Sequence, residues 1–195
     1  MTLATDRRMS LTEFLTHNDG SDRRYELVDG VLVEMGAESR INTRITVFLI
    51  GIFSRLLGDD NVGVREKIEV RSAFATARDA DLLIHSEASV LALDGRTEAC
   101  LSLNDPNPVA VIEIVSPGTE STDNYKRDYI RKPREYADRG IPEMWQVDPS
   151  RNYVRIGTLI DGAYQFQTFR YNDPIVSPAF PGLKLTAAQI LRNVQ

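Results

Sequence analysis

One cysteine and two histidines stand among 195 residues. Cys100 alone cannot build a disulfide framework, and with only His17 and His85 beside it a Cys/His zinc site is implausible. Any metal would have to be a hard cation held by carboxylates and carbonyls. Long apolar runs are lacking as well. The longest, at residues 45–53, is far short of the roughly 20 residues needed to cross a bilayer. The N-terminus lacks the charged–apolar–cleavage-site order of a secretion signal. These absences give the expectation of a cytoplasmic protein with no membrane partner. An excess of positive charge is missing too. The net charge of −5 weighs against broad nonspecific nucleic-acid binding, although Arg and Lys cluster between positions 126 and 139. No G-x-S-x-G elbow, P-loop or dinucleotide fingerprint occurs. A carboxylate pair is compatible with a glycosidase, but nothing else in the chain supports one. What is present, 42% apolar and 26% charged residues, suffices for one substantial core. The chain reads as a single domain over residues 1–195, with residues 1–9 flexible.

Read in order, the chain alternates helical and extended patterns. Ser10 or Thr12 can cap a short helix through Phe14 and Leu15. Two apolar runs flank Asp29-Gly30, a strong hairpin signal because both turn residues must take positive φ. Apolar positions 41, 45, 48, 52 and 56 have helical spacing, with Ser39 as N-cap and Gly58 as the stop. Residues 62–71 alternate as one half-exposed strand. Residues 78–85 read as an acidic start running straight into an apolar strand, and 93–107 as a loop. Residues 109–115 have the pattern of a strand buried on both faces. A polar segment and a helix ending at Gly140 follow. Pro133 is tolerated only in a first turn, so the regular helix is expected from Lys132, with an irregular turn before it. Another strand starts at Met144, a second Asp-Gly hairpin turns at 161–162, and the tail packs back as a loop and short helix. The fold class is α/β: a mixed central sheet flanked by helices, with N- and C-terminal β-hairpins.

One residue violates this pattern. Glu113 stands alone among the apolar residues of its strand, and an unpaired carboxylate there costs several kcal/mol or more to desolvate. It must be neutralised, paired or bound to a cation. Asp81 at the start of one strand, Glu113 inside the next and Lys132 on the following helix form a candidate catalytic constellation. Two carboxylates from neighbouring strands can bind Mg²⁺ or Mn²⁺, and a lysine beside them can steady developing phosphoryl charge. Asp79 competes with Asp81, which is preferred because it abuts the apolar run. The competing structural readings are a plain salt bridge from Glu113 to Arg131 or Lys132, Asp81 as a strand cap, and Lys132 as a solvated helix residue. Trp145 reads as core, His85 as a strand end, and Gln146 as a possible neighbour of a phosphate or metal. The basic run at Lys126, Arg127, Arg131, Lys132 and Arg134 fits either a phosphate-contacting face or a solvated one.

These residues also carry a family resemblance. Asp81, then Glu113-Ile114-Val115-Ser116-Pro117, resembles the PD-(D/E)XK nuclease superfamily. The closer match is its bacterial Uma-type branch, through Tyr25-Glu26-Leu27-Val28-Asp29-Gly30, Lys132-Pro133-Arg134-Glu135-Tyr136, Gly140-Ile141 and Trp145-Gln146-Val147-Asp148-Pro149. The resemblance spans residues 10–190 and implies a restriction-endonuclease-like fold and a Mg²⁺- or Mn²⁺-dependent endonuclease acting on nucleic acid, with DNA the expected substrate. It implies Asp81, Glu113 and the Ile114 carbonyl as metal ligands, and Lys132 as the active lysine with Lys126 as fallback. It further implies Glu26 as a supporting acid, although the sequence alone allows Glu26 to be an exposed hairpin residue. Two departures stand out: Ala80 replaces the proline of the first motif, and Val115 occupies the usual lysine position. A homodimer is expected, since two sites suit duplex cleavage. The alternative is a catalytically inactive nucleic-acid- or protein-binding module on the same fold; a third reading keeps the enzyme and exchanges DNA for RNA or a small phosphodiester.

Overall fold

The structure, a computed structural model, describes residues 8–191. Its first helix, α1 (Leu11–Leu15), is short and held by a reciprocal cap: Ser10 accepts from the Glu13 amide, and Glu13 accepts from the Ser10 amide at 2.8 Å. Strands β1 (Tyr25–Val28) and β2 (Val31–Glu34) turn at Asp29 and Gly30, whose φ values of 49° and 81° are those the Asp-Gly pair supplies. Helix α2 (Arg40–Leu57) starts at Ser39, stops at Gly58 and buries Ile45, Leu49 and Phe53 along one stripe. Residues 8 and 9, expected to be flexible, are tied down: the Met9 amide donates to Gly30 O at 2.8 Å, and Arg8 pairs with Asp29. The rest of that expectation falls on residues outside those described.

The expected single strand at 62–71 is two strands, and so is the segment that opens at Arg78. Strands β3 (Val62–Val64), β4 (Lys67–Val70), β5 (Thr76–Asp79) and β6 (Leu82–Ile84) form one antiparallel arm bent in the middle. Arg65, with φ 55°, breaks the outgoing half, and its amide donates to Asp81 O on the returning half at 3.3 Å. Strand alternation read from sequence runs through such a bend without signalling it, because the bend sits at polar residues. As a result β3 and β6 join one sheet while β4 and β5 join another. Helix α3 (Glu87–Leu93), capped by Ser86, follows. The two-residue strand β7 (Cys100–Leu101) lies in the segment read as a loop, too short to show a period.

Strand β8 (Ala110–Ile114) is buried at all five positions. A crossover to its parallel neighbour β9 (Glu143–Asp148) runs through α4 (Asp123–Lys126), a π-helical turn at Arg127–Arg131 and α5 (Lys132–Arg139). The Lys132 amide donates five residues back, to Arg127 O, so the wide turn lies immediately before Pro133, where an amide donor is missing. Gly140, at φ 90°, ends α5. Strands β10 (Tyr153–Ile160) and β11 (Ala163–Phe169) form the second Asp-Gly hairpin, and α6 (Ala187–Leu191) packs back on the core.

The α/β class holds, with two mixed sheets where one was expected: β2-β1-β5-β4-β7 and β11-β10-β9-β8-β6-β3. One face of the six-stranded sheet packs on α2 and α6 through Ile45, Phe53, Ile112, Trp145 and Ile190. The other packs on α5 and on the five-stranded sheet through Val111, Tyr136, Met144 and Ile68. Helix α5 therefore sits where the two sheets meet. Among the described residues no helix is long and apolar enough to cross a membrane.

Candidate active site at the junction of the sheets

Strand parity decides which side chains face the junction. Along β8 the side chains alternate, so Glu113 points to the same face as Val111, towards α5. Glu26 on β1 and Arg78 on β5 lie one step beyond the Leu27–Ala77 pair of the five-stranded sheet, which makes them cross-strand neighbours. On α5, Lys132 and Tyr136 are one turn apart and share a face. These elements meet at Lys132, whose side chain is 2% exposed. Its Nζ lies 2.8 Å from Glu113 Oε2 and 3.1 Å from Glu26 Oε1, one carboxylate from each sheet. Tyr136 OH donates to the other oxygen of Glu113 at 2.6 Å. Arg78 donates to Glu26 Oε2 at 2.8 Å and to both oxygens of Glu135 at 2.6 and 2.7 Å. The result is a buried ion network spanning both sheets and the helix.

Asp81 occupies the link between β5 and β6. Its Oδ2 accepts from the Ile114 amide at 2.7 Å, just past the last β6–β8 register pair, Leu82–Ile112. It thereby satisfies a buried amide where strand pairing has ended. Asp79, two residues earlier, is also turned inward: Arg24 approaches its Oδ2 at 3.6 Å, and its Oδ1 has no hydrogen-bond partner. Asp79, Asp81, Glu113, the Ile114 backbone, Lys132, Arg24 and Arg127 line one cleft of about 160 Å³.

Burial and neighbouring charges shift the acids of the network in opposite directions. Burial would raise Glu26, but Lys132 and Arg78 outweigh it and hold its pKa at about 2. Burial, opposed by Lys132 and reinforced by Asp81, pushes Glu113 up to about 8. Burial also raises Asp81 to about 6, against the pull of Lys132 and the Ile114 amide. Lys132 stays cationic: its burial is overcome by Glu113 and Glu26.

All four side chains singled out in the sequence meet here: Glu26, Asp81, Glu113 and Lys132. Glu26 is fully buried rather than an exposed hairpin residue. Glu113 pairs with Lys132, not with Arg131, whose guanidinium lies 3.8 Å from Asp123. Lys126 is exposed on α4 and does not line the cleft. Trp145 is core, and His85 follows β6 and bonds to Ser89 and Glu66. Gln146, the register partner of Glu113, donates to Asp128 O at 2.6 Å. Arg78 escaped the sequence reading, although it carries the same signal as Glu113, a charge inside a strand. Tyr136 belongs to the Lys132–Tyr136 motif, and its spacing of one helical turn from Lys132 is the clue in the sequence to its place at Glu113.

Among the described residues no group of three or more His, Cys, Asp or Glu side chains is arranged to hold a metal. Two carboxylates and a carbonyl, from Asp81, Glu113 and Ile114, do line the same cleft. The buried oxygens Asp79 Oδ1, Asn42 Oδ1 and Gln146 Oε1 have no hydrogen-bond donor. Leaving such acceptors unsatisfied is costly; Asn42 and Asp79 line the cleft with Asp81 and Glu113, and a hydrated hard cation would satisfy oxygens of this kind. The residues present fit Mg²⁺ or Mn²⁺.

A family model described as "Uma2: Putative restriction endonuclease" matches residues 11–188. Among solved structures, a crystal structure titled as a putative nuclease belonging to DUF820, from Anabaena variabilis, superposes with a TM-score of 0.67 over 94% of this chain and 98% of that one. The identity between them is 14%, so the likeness is one of fold. No match is found among curated proteins.

Proposed function

Because the chain belongs to the Uma2 restriction-endonuclease family, we propose that it is a metal-dependent nuclease that hydrolyses phosphodiester bonds, in DNA first, at the cleft of Asp81, Glu113 and Lys132. The observation that carries this reading is Glu113, a strand glutamate 3% exposed and fixed by two donors of one helix, beside an Asp81 anchored on the neighbouring amide. A Mg²⁺ or Mn²⁺ held by Asp81, Glu113 and the Ile114 carbonyl would supply Lewis acidity and lower the pKa of a bound water. The chain's own groups set the frame. Lys132, kept charged by two carboxylates, offsets negative charge developing at phosphorus. Glu26, itself paired with Arg78, holds Lys132 in place from the second sheet, and Arg127 on the cleft wall orients the phosphate. The same reading makes the protein a single-domain, cytoplasmic homodimer.

The test uses supercoiled plasmid and single-stranded DNA with Mn²⁺, Mg²⁺ or EDTA. Nicking is expected with either metal and lost in Glu113→Gln, and Mn²⁺ should raise the melting temperature of the wild type but not of Asp81→Asn. Nicking that persists in EDTA or in the variant overturns the assignment. The second reading is a silent nucleic-acid- or protein-binding module. It is favoured by the fact that both Glu113 oxygens already have partners, and it requires DNA binding in EDTA with no turnover in either metal.

A further inference from the structure

A second and larger cleft, of about 540 Å³, shares Arg24 and Asp79 with the first and leads away from it over the five-stranded sheet. Its charge is the reverse of the acidic site. Arg23, Arg24, Arg65 and Lys67 line it against Asp79 and Glu98, in a chain whose net charge is −5. Arg23 is paired with Glu34 at 3.3 Å, and the other three cations are more loosely committed. Arg24 and Arg65 share Glu38 at 3.7 and 3.6 Å, beyond good hydrogen-bonding distance. Lys67 makes no ion pair among the described residues; its ammonium lies 5.7 Å from the centre of the Phe14 ring. Tyr25 and His17 form an edge-to-face aromatic pair on the rim, 6.0 Å between centroids. Arg65 takes its positive φ here, and its amide is bonded to Asp81 O, which couples this cleft to the candidate active site through the backbone.

We propose that this cleft receives the unpaired strand that continues from the phosphate being cleaved, an inference that rests on the nuclease reading and names its substrate as a single-stranded or locally melted nucleic acid. Arg24, at the junction, meets the phosphate next to the scissile one; Arg65 and Lys67 meet the following ones, and a base lies on the Tyr25–His17 pair. Cations that track a backbone, with aromatic faces beside them, form the recurring plan of single-strand grooves. Size argues against a duplex. The volume is that of a small-ligand pocket, ~300–1,000 Å³, room for a few nucleotides of one strand rather than for two paired strands. Opposite charge at the two ends also sets a direction: the acidic end suits a cation, the basic end an anionic chain.

The test measures binding of fluorescein-labelled oligothymidylate and of a duplex of the same length, by anisotropy in EDTA across a salt series. Wild type is compared with Arg65→Asn/Lys67→Gln, in which Asn tolerates the left-handed backbone of Arg65, and with Lys184→Gln as a remote control. The double variant should lower the salt slope for the single strand by about 1.4, two phosphate contacts at ~0.7 each. In Mn²⁺ it should lower the ratio of kcat/KM for the long strand over a dinucleotide by about tenfold. Melting curves exclude unfolding, and Arg23→Gln gives a second variant outside the bend. Unchanged slope and length preference in an enzyme that cleaves both substrates overturns the groove and leaves the nuclease standing. Cleavage of neither substrate, with slope-sensitive binding retained, overturns the nuclease and leaves the groove. Tighter binding of the duplex, with the slope loss confined to it, overturns the single-strand assignment.

Discussion

Lys132 touches two buried glutamates, and they live in opposite electrostatic conditions. On the five-stranded side Glu26 has two cations, Lys132 and Arg78, and is held ionised at about 2. On the six-stranded side Glu113 has one cation, a phenol and a neighbouring acid, and burial pushes it up to about 8. The first arrangement is a finished structural pair; the second is under-compensated and faces a cleft. A single ammonium thus has a fully compensated acid on one side and an under-compensated one on the other. The unsatisfied oxygens fall on both sides: that of Gln146 beside Glu113 in the six-stranded sheet, and that of Asp79 on β5, whose amide donates to Glu26 at 3.3 Å.

The harshest way to break the comparison is Lys132→Met. It strips the cation from both glutamates, and removing one partner of a buried ionic network costs about 3–5 kcal/mol. Urea unfolding at neutral pH should show that loss together with loss of cleavage; an unchanged midpoint would mean that Lys132 does not hold the sheets together. The next test separates the sides by pH. Because the folded pKa of Glu26 lies below its ordinary value of 4.5, its contribution is present above that value and is lost as pH falls towards about 2. Glu26→Gln should therefore cost about 3 kcal/mol at neutral pH, a deficit that shrinks in acid. Glu113 carries the opposite sign. Its folded pKa is raised, so wild type loses stability as pH climbs from 4.5 to about 8, and Glu113→Gln does not. The variant should gain on wild type through that window, by up to about 5 kcal/mol in the absence of metal. Parallel stability–pH curves for the two variants would erase the distinction.

Most of the fold was legible because the chain punctuates itself. Both Asp-Gly turns, the Ser39 and Gly58 ends of α2, and the irregular turn before Pro133 each leave a local mark that tertiary contacts do not override. The bend that divides β3 from β4 and β5 from β6 left none. It depends on Arg65 in a left-handed conformation and on a hydrogen bond from its amide to the carbonyl of a residue sixteen positions away, which no short-range period encodes. The site was legible where burial cost made one residue anomalous. Glu113 announced itself as a lone charge in an apolar strand; Arg78 did not, because Asp79 beside it made the segment look like an exposed acidic start. Glu26 was undecidable from alternation alone, since the hairpin allows either face to be buried. Its partner lies on another strand and comes into reach only after folding.

The gentlest test acts within the Glu113 side. Tyr136→Phe removes the hydroxyl that donates to Glu113 Oε1 at 2.6 Å and leaves the ring in the core formed with Val111 and Met144. A single buried hydrogen bond is worth about 1 kcal/mol net, so the loss of stability should be near that value and smaller than for either change at Lys132 or Glu26. The effect on the acid is more informative. This hydrogen bond favours the ionised carboxylate, so its removal should raise the Glu113 pKa further. Relative to wild type, the variant should lose additional stability in the alkaline part of the pH curve, while Glu26 on the far side of Lys132 remains unaffected. A double variant with Glu113→Gln isolates the coupling. If the tyrosine change has the same pH dependence with Gln at position 113 as with Glu, the phenol acts through packing alone, and the electrostatic division across Lys132 rests on burial and on Asp81 rather than on Tyr136.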